Sequence, residues 1–307
     1  MKLSTTNPFI GLRPYQAEHE NDFFGREQEV ENLLSVLQKN KIAVLTGDLG
    51  SGKTSLIQAG LIPKLLRGFT GQTSNEWSIA FFRPGISPLK NLSHALTENN
   101  VLKVDLKSNT SDYSYYNSVF DKFQDHGLIE IFNNSEINGK RNLLIVIDQL
   151  EDLFKYQKFF NSSTSDEDNL LMDIIYKTVS TSNISVYFLI CIQTPYLTRI
   201  TAYTKLQELV SKTQYAIQSI RYEDIENILK DTFYIQNISF SDDVIEYFRI
   251  TLNEDMSYLP NFQYLLKKVY NDYVIKNTEI DLVDMTIINA LGGIENVLAK
   301  DLSSLYN

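Results

Sequence analysis

Cysteine is nearly missing: Cys191 stands alone in 307 residues. A lone thiol excludes an internal disulfide framework and any cysteine-cluster zinc site, and its mid-strand position makes it an inert buried group. Histidine is almost as scarce. His19, His94 and His126 lie far apart, without metal-ligand spacing, which assigns them to structural or exposed positions. No apolar run reaches the length a bilayer requires, so no transmembrane helix is expected. The opening residues, Met1 to Pro8, have no signal-peptide core, and the expected compartment is the cytoplasm. No Lys/Arg run occurs, and the net charge of −10 repels a phosphate backbone, which argues against bulk nucleic-acid binding. There is no internal repeat. An Asn-Lys-x-Asp guanine-specificity motif is also missing, which argues for adenine over guanine.

What is present is a chain with a hydrophobic fraction of 43%, enough for a well-buried domain and a smaller second one. Val30, Leu33, Leu34 and Leu37 fall at helical spacing and predict an amphipathic helix over 26–39. Ile42-Ala43-Val44-Leu45 reads as a short buried strand, and Ser55 to Ile62 as a helix. Trp77 to Phe82, Leu143 to Ile147 and Val186 to Ile192 are further strands, with Tyr215 to Ile220 a weaker one. The 143–147 and 186–192 runs are apolar throughout rather than alternating, the pattern of strands covered on both faces of a parallel sheet. From about residue 222 the character turns helical. Ile225, Ile228 and Leu229 share one face, as do Phe262, Leu265, Leu266, Val269 and Tyr270. Ser241-Asp242-Asp243 caps a helix carrying Val244, Ile245 and Phe248. The polar stretch from Asn161 to Asp168 predicts a solvated loop, and Trp77 is expected to pack at the sheet edge.

One motif carries chemistry. Gly47-Asp48-Leu49-Gly50-Ser51-Gly52-Lys53-Thr54 sits between a predicted strand and a predicted helix, the order a phosphate-binding loop requires. Gly47, Gly50 and Gly52 let backbone N–H groups, including those of Leu49 and Ser51, converge on an anion. The helix that begins here and continues through Ser55 adds its positive end. Lys53 supplies a point charge for the β- and γ-phosphates, and the Thr54 hydroxyl a ligand for Mg²⁺. The expected cofactors are ATP or ADP and Mg²⁺. The run Leu143 to Ile147 leads directly into Asp148, a carboxylate at the end of a buried strand next to the phosphate loop and suited to the same cation. Glu151 and Asp152 follow. Either orients or deprotonates an attacking water, with Glu151 first; alternatively both only decorate the first turn of a helix.

Taken in order, these pieces resemble the STAND class of signal-transduction ATPases, and most of all its bacterial branch, the novel STAND NTPases. Asn7-Pro8-Phe9-Ile10-Gly11-Leu12-Arg13-Pro14-Tyr15 is similar to that family's N-terminal strap. Phe23-Phe24-Gly25-Arg26-Glu27 resembles its Gly-Arg-Glu motif, which places Gly25 and Arg26 by the adenine. Ala59-Gly60-Leu61-Ile62-Pro63 continues its phosphate-loop helix, and Phe82-Arg83-Pro84-Gly85-Ile86-Ser87-Pro88-Leu89 is similar to the region after its second strand. Asp148-Gln149-Leu150-Glu151-Asp152-Leu153-Phe154 resembles its Walker B segment. Leu259-Pro260 stands where a lid proline meets the base, and Gly292-Gly293-Ile294-Glu295-Asn296-Val297-Leu298-Ala299 resembles the start of a winged helix.

The resemblance implies a P-loop NTPase α/β fold, a parallel sheet with helices on both faces, followed by an α-helical lid and a partial winged helix. The implied segments are a strap over 1–21, the NTPase domain over 22–220, the lid over 221–275 and the start of the winged helix over 276–307. It also implies a switch, closed with ADP and opened by exchange to ATP, that forms a homo-oligomer when active. The resemblance brings in sensor or effector domains and, in bacteria, a link to defence. The chain stops soon after Ala299, so those domains are expected in a longer chain of which this is a fragment, or in partner proteins. Two departures stand out. Gln193-Thr194-Pro195-Tyr196 replaces the family's strand-end arginine and the Asp-Phe that follows it, and Tyr258 replaces a small residue before Leu259-Pro260. A neutral amide at 193 cannot supply charge at a γ-phosphate, which sets slow hydrolysis against a second expectation, a scaffold that binds nucleotide and works by assembly. Arg199 is expected to be an ordinary surface residue.

Overall fold

The computed structural model describes residues 7–68, 76–98, 101–103, 119–121, 123, 127–155, 166–200, 203–218, 220, 222–233, 238–276 and 281–305. In chain order the principal elements begin with α1 (Glu27–Asn40), β1 (Ile42–Gly47) and α2 (53–66). Next come β2 (Trp77–Phe82), α3 (Pro88–Thr97), α4 (Gly127–Asn133), β3 (Asn142–Ile147), α5 (Asp166–Ser180), β4 (Val186–Gln193), α6 (Thr204–Thr213) and β5 (Gln214–Ala216). The remainder is α7 (Tyr222–Phe233), β6 (Ser239–Phe240), α8 (Asp242–Glu254), α9 (Leu259–Val269), β7 (Leu282–Val283), α10 (Met285–Leu291) and α11 (Gly293–Leu305). By contacts the chain forms two units. One comprises Glu31–Gly47 and Lys64–Ala216; the other comprises Met1–Val30, Asp48–Pro63 and Ile217–Asn307.

The first unit is built on a five-stranded parallel sheet in the order β2-β3-β4-β1-β5, flanked by helices. Every residue of β3 and all but the last of β1 and β4 are buried, as their unbroken apolar runs require. α3 packs on β2, α5 on β4 and α6 on β1. Ile145, Phe188, Ile190, Leu171 and Ile175 belong to one continuous core. Edge strand β2 alternates in burial, and Trp77 packs its indole 5.0 Å from the Tyr187 ring. Cys191 is buried inside β4. Two expectations change. The fifth strand is shorter and earlier than the 215–220 run, because only Gln214, Tyr215 and Ala216 find partners on β1. The acidic stretch is not all loop. Asp166, Glu167 and Asp168 form the first turn of α5, where the helix dipole favours carboxylates, and Asp168 is buried. Residues 161–165 and His126 lie outside the described residues.

The second unit gathers the predicted helical stripes into its own core. Ile225, Leu229, Val244, Phe248, Phe262, Leu265, Leu266 and Val269 are all buried there. Ser241 is the N-cap residue of α8, but its hydroxyl turns to the Asp243 carboxylate, and the cap bond runs from Val244 N–H to the Ser241 carbonyl. Strands β6 and β7 form a small parallel pair. α2 is not a uniform helix: Lys53–Ser55 is α-helical, Leu56–Leu61 a π-helical turn and Ile62–Leu66 α-helical again. Among the described residues no helix is long and apolar enough to cross a membrane.

The amino-terminal residues belong to this second core. Phe9 is buried, stacking on Phe233 at 5.6 Å and meeting Tyr270 edge-on at 6.3 Å. Asn7 Nδ2 donates to the Lys267 carbonyl and to Asn271 Oδ1, both at 2.9 Å. Tyr15 joins two elements. Its N–H donates to Ser55 Oγ on α2 at 3.1 Å, and its hydroxyl lies 2.8 Å from Gln263 Oε1 on α9. Burial raises the Tyr15 phenol far above the ordinary tyrosine range, so it stays a neutral donor.

Candidate functional site

The phosphate loop follows β1 directly. Gly50 (φ +81) and Gly52 (φ +88) adopt left-handed conformations that a side chain disfavours. Space is short as well. A Cβ on Gly50 would lie 3.1 Å from the Ser257 carbonyl oxygen and 3.4 Å from Pro260, and one on Gly52 would lie 3.3 Å from Leu259 Cδ2. Pro260 is in the first turn of α9, where its missing N–H leaves no bond unmade. The Leu259-Pro260 segment thus rests on the glycines of the loop, with Tyr258 as the N-cap residue of that helix. Lys53 is 9% exposed, and its Nζ donates to the Asp48 carbonyl at 2.8 Å and to Ser51 Oγ at 3.4 Å. Ser51 Oγ donates to the same carbonyl at 2.8 Å. Leu49 is exposed at the tip, and the Ser55 hydroxyl is engaged by Tyr15.

Gly25 is also left-handed (φ +80), and a Cβ there would meet Ile228 Cδ1 at 3.0 Å and Asp224 Cβ at 3.2 Å. The neighbouring Arg26 is buried. Its Nη1 donates to Glu29 Oε1 at 2.5 Å and to the Gln218 carbonyl at 2.6 Å. Arg26 Nη2 is buried without a hydrogen-bond partner among the described residues. An orphaned buried donor of this kind is unfavourable unless a ligand meets it.

In the sheet unit the chemistry gathers at the carboxyl ends of the strands. β4 stands between β3, which leads to Asp148, and β1, which leads to Gly47. Register places Gln193, the last residue of β4, opposite Gly47, the last of β1. Asp148 follows β3, its N–H bonded to the Phe82 carbonyl at 2.9 Å, and it is 1% exposed. Gln149 then takes φ +60, unusual for a side-chain-bearing residue, and turns the chain so that Leu150 N–H reaches the Cys191 carbonyl at 2.8 Å. Glu151 is fully enclosed. Its Oε2 accepts the Gln193 N–H at 3.1 Å, its Oε1 is buried with no hydrogen-bond partner among the described residues, and Lys155 Nζ lies 3.7 Å from that oxygen. Asp152 retains some exposure. Burial raises its carboxyl above the ordinary aspartate range, opposed chiefly by the Lys155 ammonium. Arg199 is exposed, as expected.

One contact was not foreseen in the motif. The Arg83 guanidinium sits on Asp148, with Nε at 3.2 Å and Nη2 at 3.1 Å from Oδ2. Arg83 follows β2 as Asp148 follows β3, and Phe82 pairs in register with Ile147. Knowledge of strand neighbours would have found it; the linear sequence places the two residues 65 positions apart.

The residues fit the cofactors that the motif implies. A bound phosphate oxygen would take the place of the loop carbonyl and hydroxyl that Lys53 now holds, and the left-handed glycines give the loop the kind of turn that anion-binding loops use. Asp148 is a buried carboxylate oxygen donor, here compensated by the Arg83 guanidinium, and carboxylates are the protein ligands Mg²⁺ favours. Mg²⁺ needs only one or two protein oxygens when phosphates supply others. No cluster of three or more His, Cys, Asp or Glu residues suited to a metal occurs among the described residues.

Comparison with known proteins gives a family and a fold. The pattern of the family described as Novel STAND NTPase 1 matches residues 8–307. No curated protein matches the chain significantly in sequence. Among solved structures, the fold is similar to the Walker-type ATPase of Pyrococcus abyssi, at 13% identity and a TM-score of 0.51, over 96% of this chain and 78% of that one. It is similar to the ORC2 protein of Aeropyrum pernix, solved as ADPNP–ADP complexes, at 12% identity and a TM-score of 0.52, over 86% of this chain and 66% of that one. A third likeness is to Hsp104 of S. cerevisiae in a casein complex, at 13% identity and a TM-score of 0.50, over 95% of this chain and 44% of that one. The chain therefore spans less than two thirds of the length of the last two.

Proposed function

The chain belongs to the Novel STAND NTPase 1 family, and on that premise we propose that it is a slow ATP-hydrolysing switch whose nucleotide state controls self-assembly and signalling in bacterial defence. Lys53 and the amides of Gly47, Leu49, Gly50, Ser51, Gly52, Thr54 and Ser55 hold the phosphates. Gly25, Arg26 and Pro260 meet the base side, and Gln193 stands at the γ-phosphate position. Thr54 and Asp148 each supply an oxygen to Mg²⁺, which when bound neutralises charge on the β- and γ-phosphates. Residues 221–275 act as lid and 276–307 as the start of the winged helix. The sensor and effector parts belong to a longer chain or to partners, and the compartment is the cytoplasm.

The observation that carries this reading is the packing of Ser257 and Pro260 against Gly50. A nucleotide in the loop must meet the lid, so di- and triphosphate favour different lid positions, which is what a switch requires. The test is calorimetric titration of ADP and ATP with Mg²⁺ onto wild type and Lys53→Ala. A marked loss of affinity in Lys53→Ala is expected; equal affinity in the two proteins removes Lys53 from the site. A second reading, a scaffold that binds but barely hydrolyses, draws support from the neutral Gln193 and the enclosed Glu151. Steady-state phosphate release separates the two: wild type equal to Glu151→Gln and Asp152→Asn, all near background, selects the scaffold.

A further inference from the structure

We propose that Arg83 is a positioning residue that guards the metal-binding oxygen of Asp148: it occupies Oδ2 until Mg²⁺ arrives with the nucleotide, and the cation must displace it. The proposal rests on the reading of Asp148 as a Mg²⁺ ligand.

The Asp148 side chain is 1% exposed, and a buried carboxylate is costly unless a cation or hydrogen bonds compensate it. Arg83 supplies that compensation from a side chain that is itself 52% exposed. The pairing is therefore asymmetric, an enclosed anion with a cation that has solvent to retreat into. Its geometry is asymmetric too. Nε and Nη2 both converge on Oδ2 rather than bridging the two oxygens, which gives up the parallel fork that makes arginine–carboxylate pairs strongest.

The backbone beneath the guanidinium is held in place. Asn91 Nδ2 on α3 donates to the Arg83 carbonyl at 3.1 Å and to the Pro84 carbonyl at 2.8 Å. Gly85 takes φ +56, and a Cβ there would lie 3.1 Å from that same amide nitrogen. The Arg83-Pro84 backbone is thus held by α3 while the side chain remains half exposed. A guanidinium and a divalent cation brought to the same carboxylate oxygen repel one another, so the two compete for Oδ2. In the proposal Arg83 rests on Asp148 without the cation and gives way when it binds.

The experiment measures the Mg²⁺ concentration for half-maximal binding of a fluorescent ADP analogue. It compares wild type, Arg83→Met, Arg83→Lys and Asp148→Asn, each checked for folding by its melting curve. Arg83→Met should lower the half-point about tenfold, on the scale of losing a competing charge-assisted pair, with Arg83→Lys in between. Binding in excess chelator should be unchanged by Arg83→Met. An unchanged or raised Mg²⁺ half-point in Arg83→Met and Arg83→Lys overturns the guarding role. If Asp148→Asn keeps the wild-type Mg²⁺ dependence, the metal-ligand assignment fails and the proposal fails with it. If only the Arg83 variants are silent, the guarding role alone is lost.

Discussion

Gly50 shows how closely single positions are constrained. Gly50→Ala forces a side chain into a left-handed backbone, which costs about 1–2 kcal/mol, and sets a methyl 3.1 Å from the Ser257 carbonyl. An unfolding free energy lowered by that amount in denaturant titration, with weaker ADP binding in calorimetry, is the expected result. Asp152 is predicted to act in the opposite sense. Its carboxyl is raised first by burial, so its native pKa lies above its unfolded one and its charged form opposes folding. Asp152→Asn should therefore raise the melting temperature slightly at pH 7, and the gain should fade as pH falls through the raised native pKa and be gone below the unfolded aspartate range. A gain that persists at acid pH would point to a cause other than charge. At this scale the turn leading into the helix at Lys53 was legible, because the glycines at 50 and 52 take the left-handed conformations that such a turn needs. Arg83 was not legible as a site residue. Its role depends on the neighbour of β2, which no local pattern encodes, and the enclosure of Glu151 depends likewise on the end of β4.

Among the elements, the buried strands were the easiest to read. Leu143 to Ile147 and Val186 to Ile192 announce two-sided burial by apolar continuity, and both lie in the middle of the sheet. β5 was overextended because its pairing stops after three residues on β1, and composition does not show where a partner ends. The acidic residues that open α5 suit a loop as well as a first helical turn; the apolar face that makes it a helix begins at Leu170 and Leu171. The segment around Tyr15 makes its own prediction. Tyr15→Phe removes the hydroxyl that reaches Gln263 on α9 while keeping the ring, and should lower stability by about 1 kcal/mol, measured by denaturant unfolding. Tyr15→Ala should lower it by about 3–5 kcal/mol, since the buried ring is lost as well. Equal effects of the two would mean that the ring contributes nothing.

For the molecule as a whole, a ligand that binds only the folded state adds stability in proportion to the logarithm of its excess. At a hundredfold excess over Kd, ADP with Mg²⁺ should contribute about 2.7 kcal/mol, several degrees in melting temperature for a chain of this size. No shift at saturating ADP would remove the closed ADP state. The family was readable from the order of motifs across the chain rather than from any one of them. The grouping of residues 48–63 with the carboxyl-terminal helices was not, because it arises from contacts at Ser257, Leu259 and Pro260 that sequence order conceals.

Strand β4 has a consequence of its own. It is laid against β1 on one side and β3 on the other, and its last amide is clasped by Glu151. It is thus a ruler that measures the end of one neighbour against the end of the other. One residue inserted ahead of Gln193 would push its tip on by a pleat, about 3.3 Å, and turn every later side chain to the opposite face. Gln193 would then lie opposite neither Gly47 nor the clasp of Glu151, so a change in strand length, with all motif residues intact, would put the two margins of the sheet out of step.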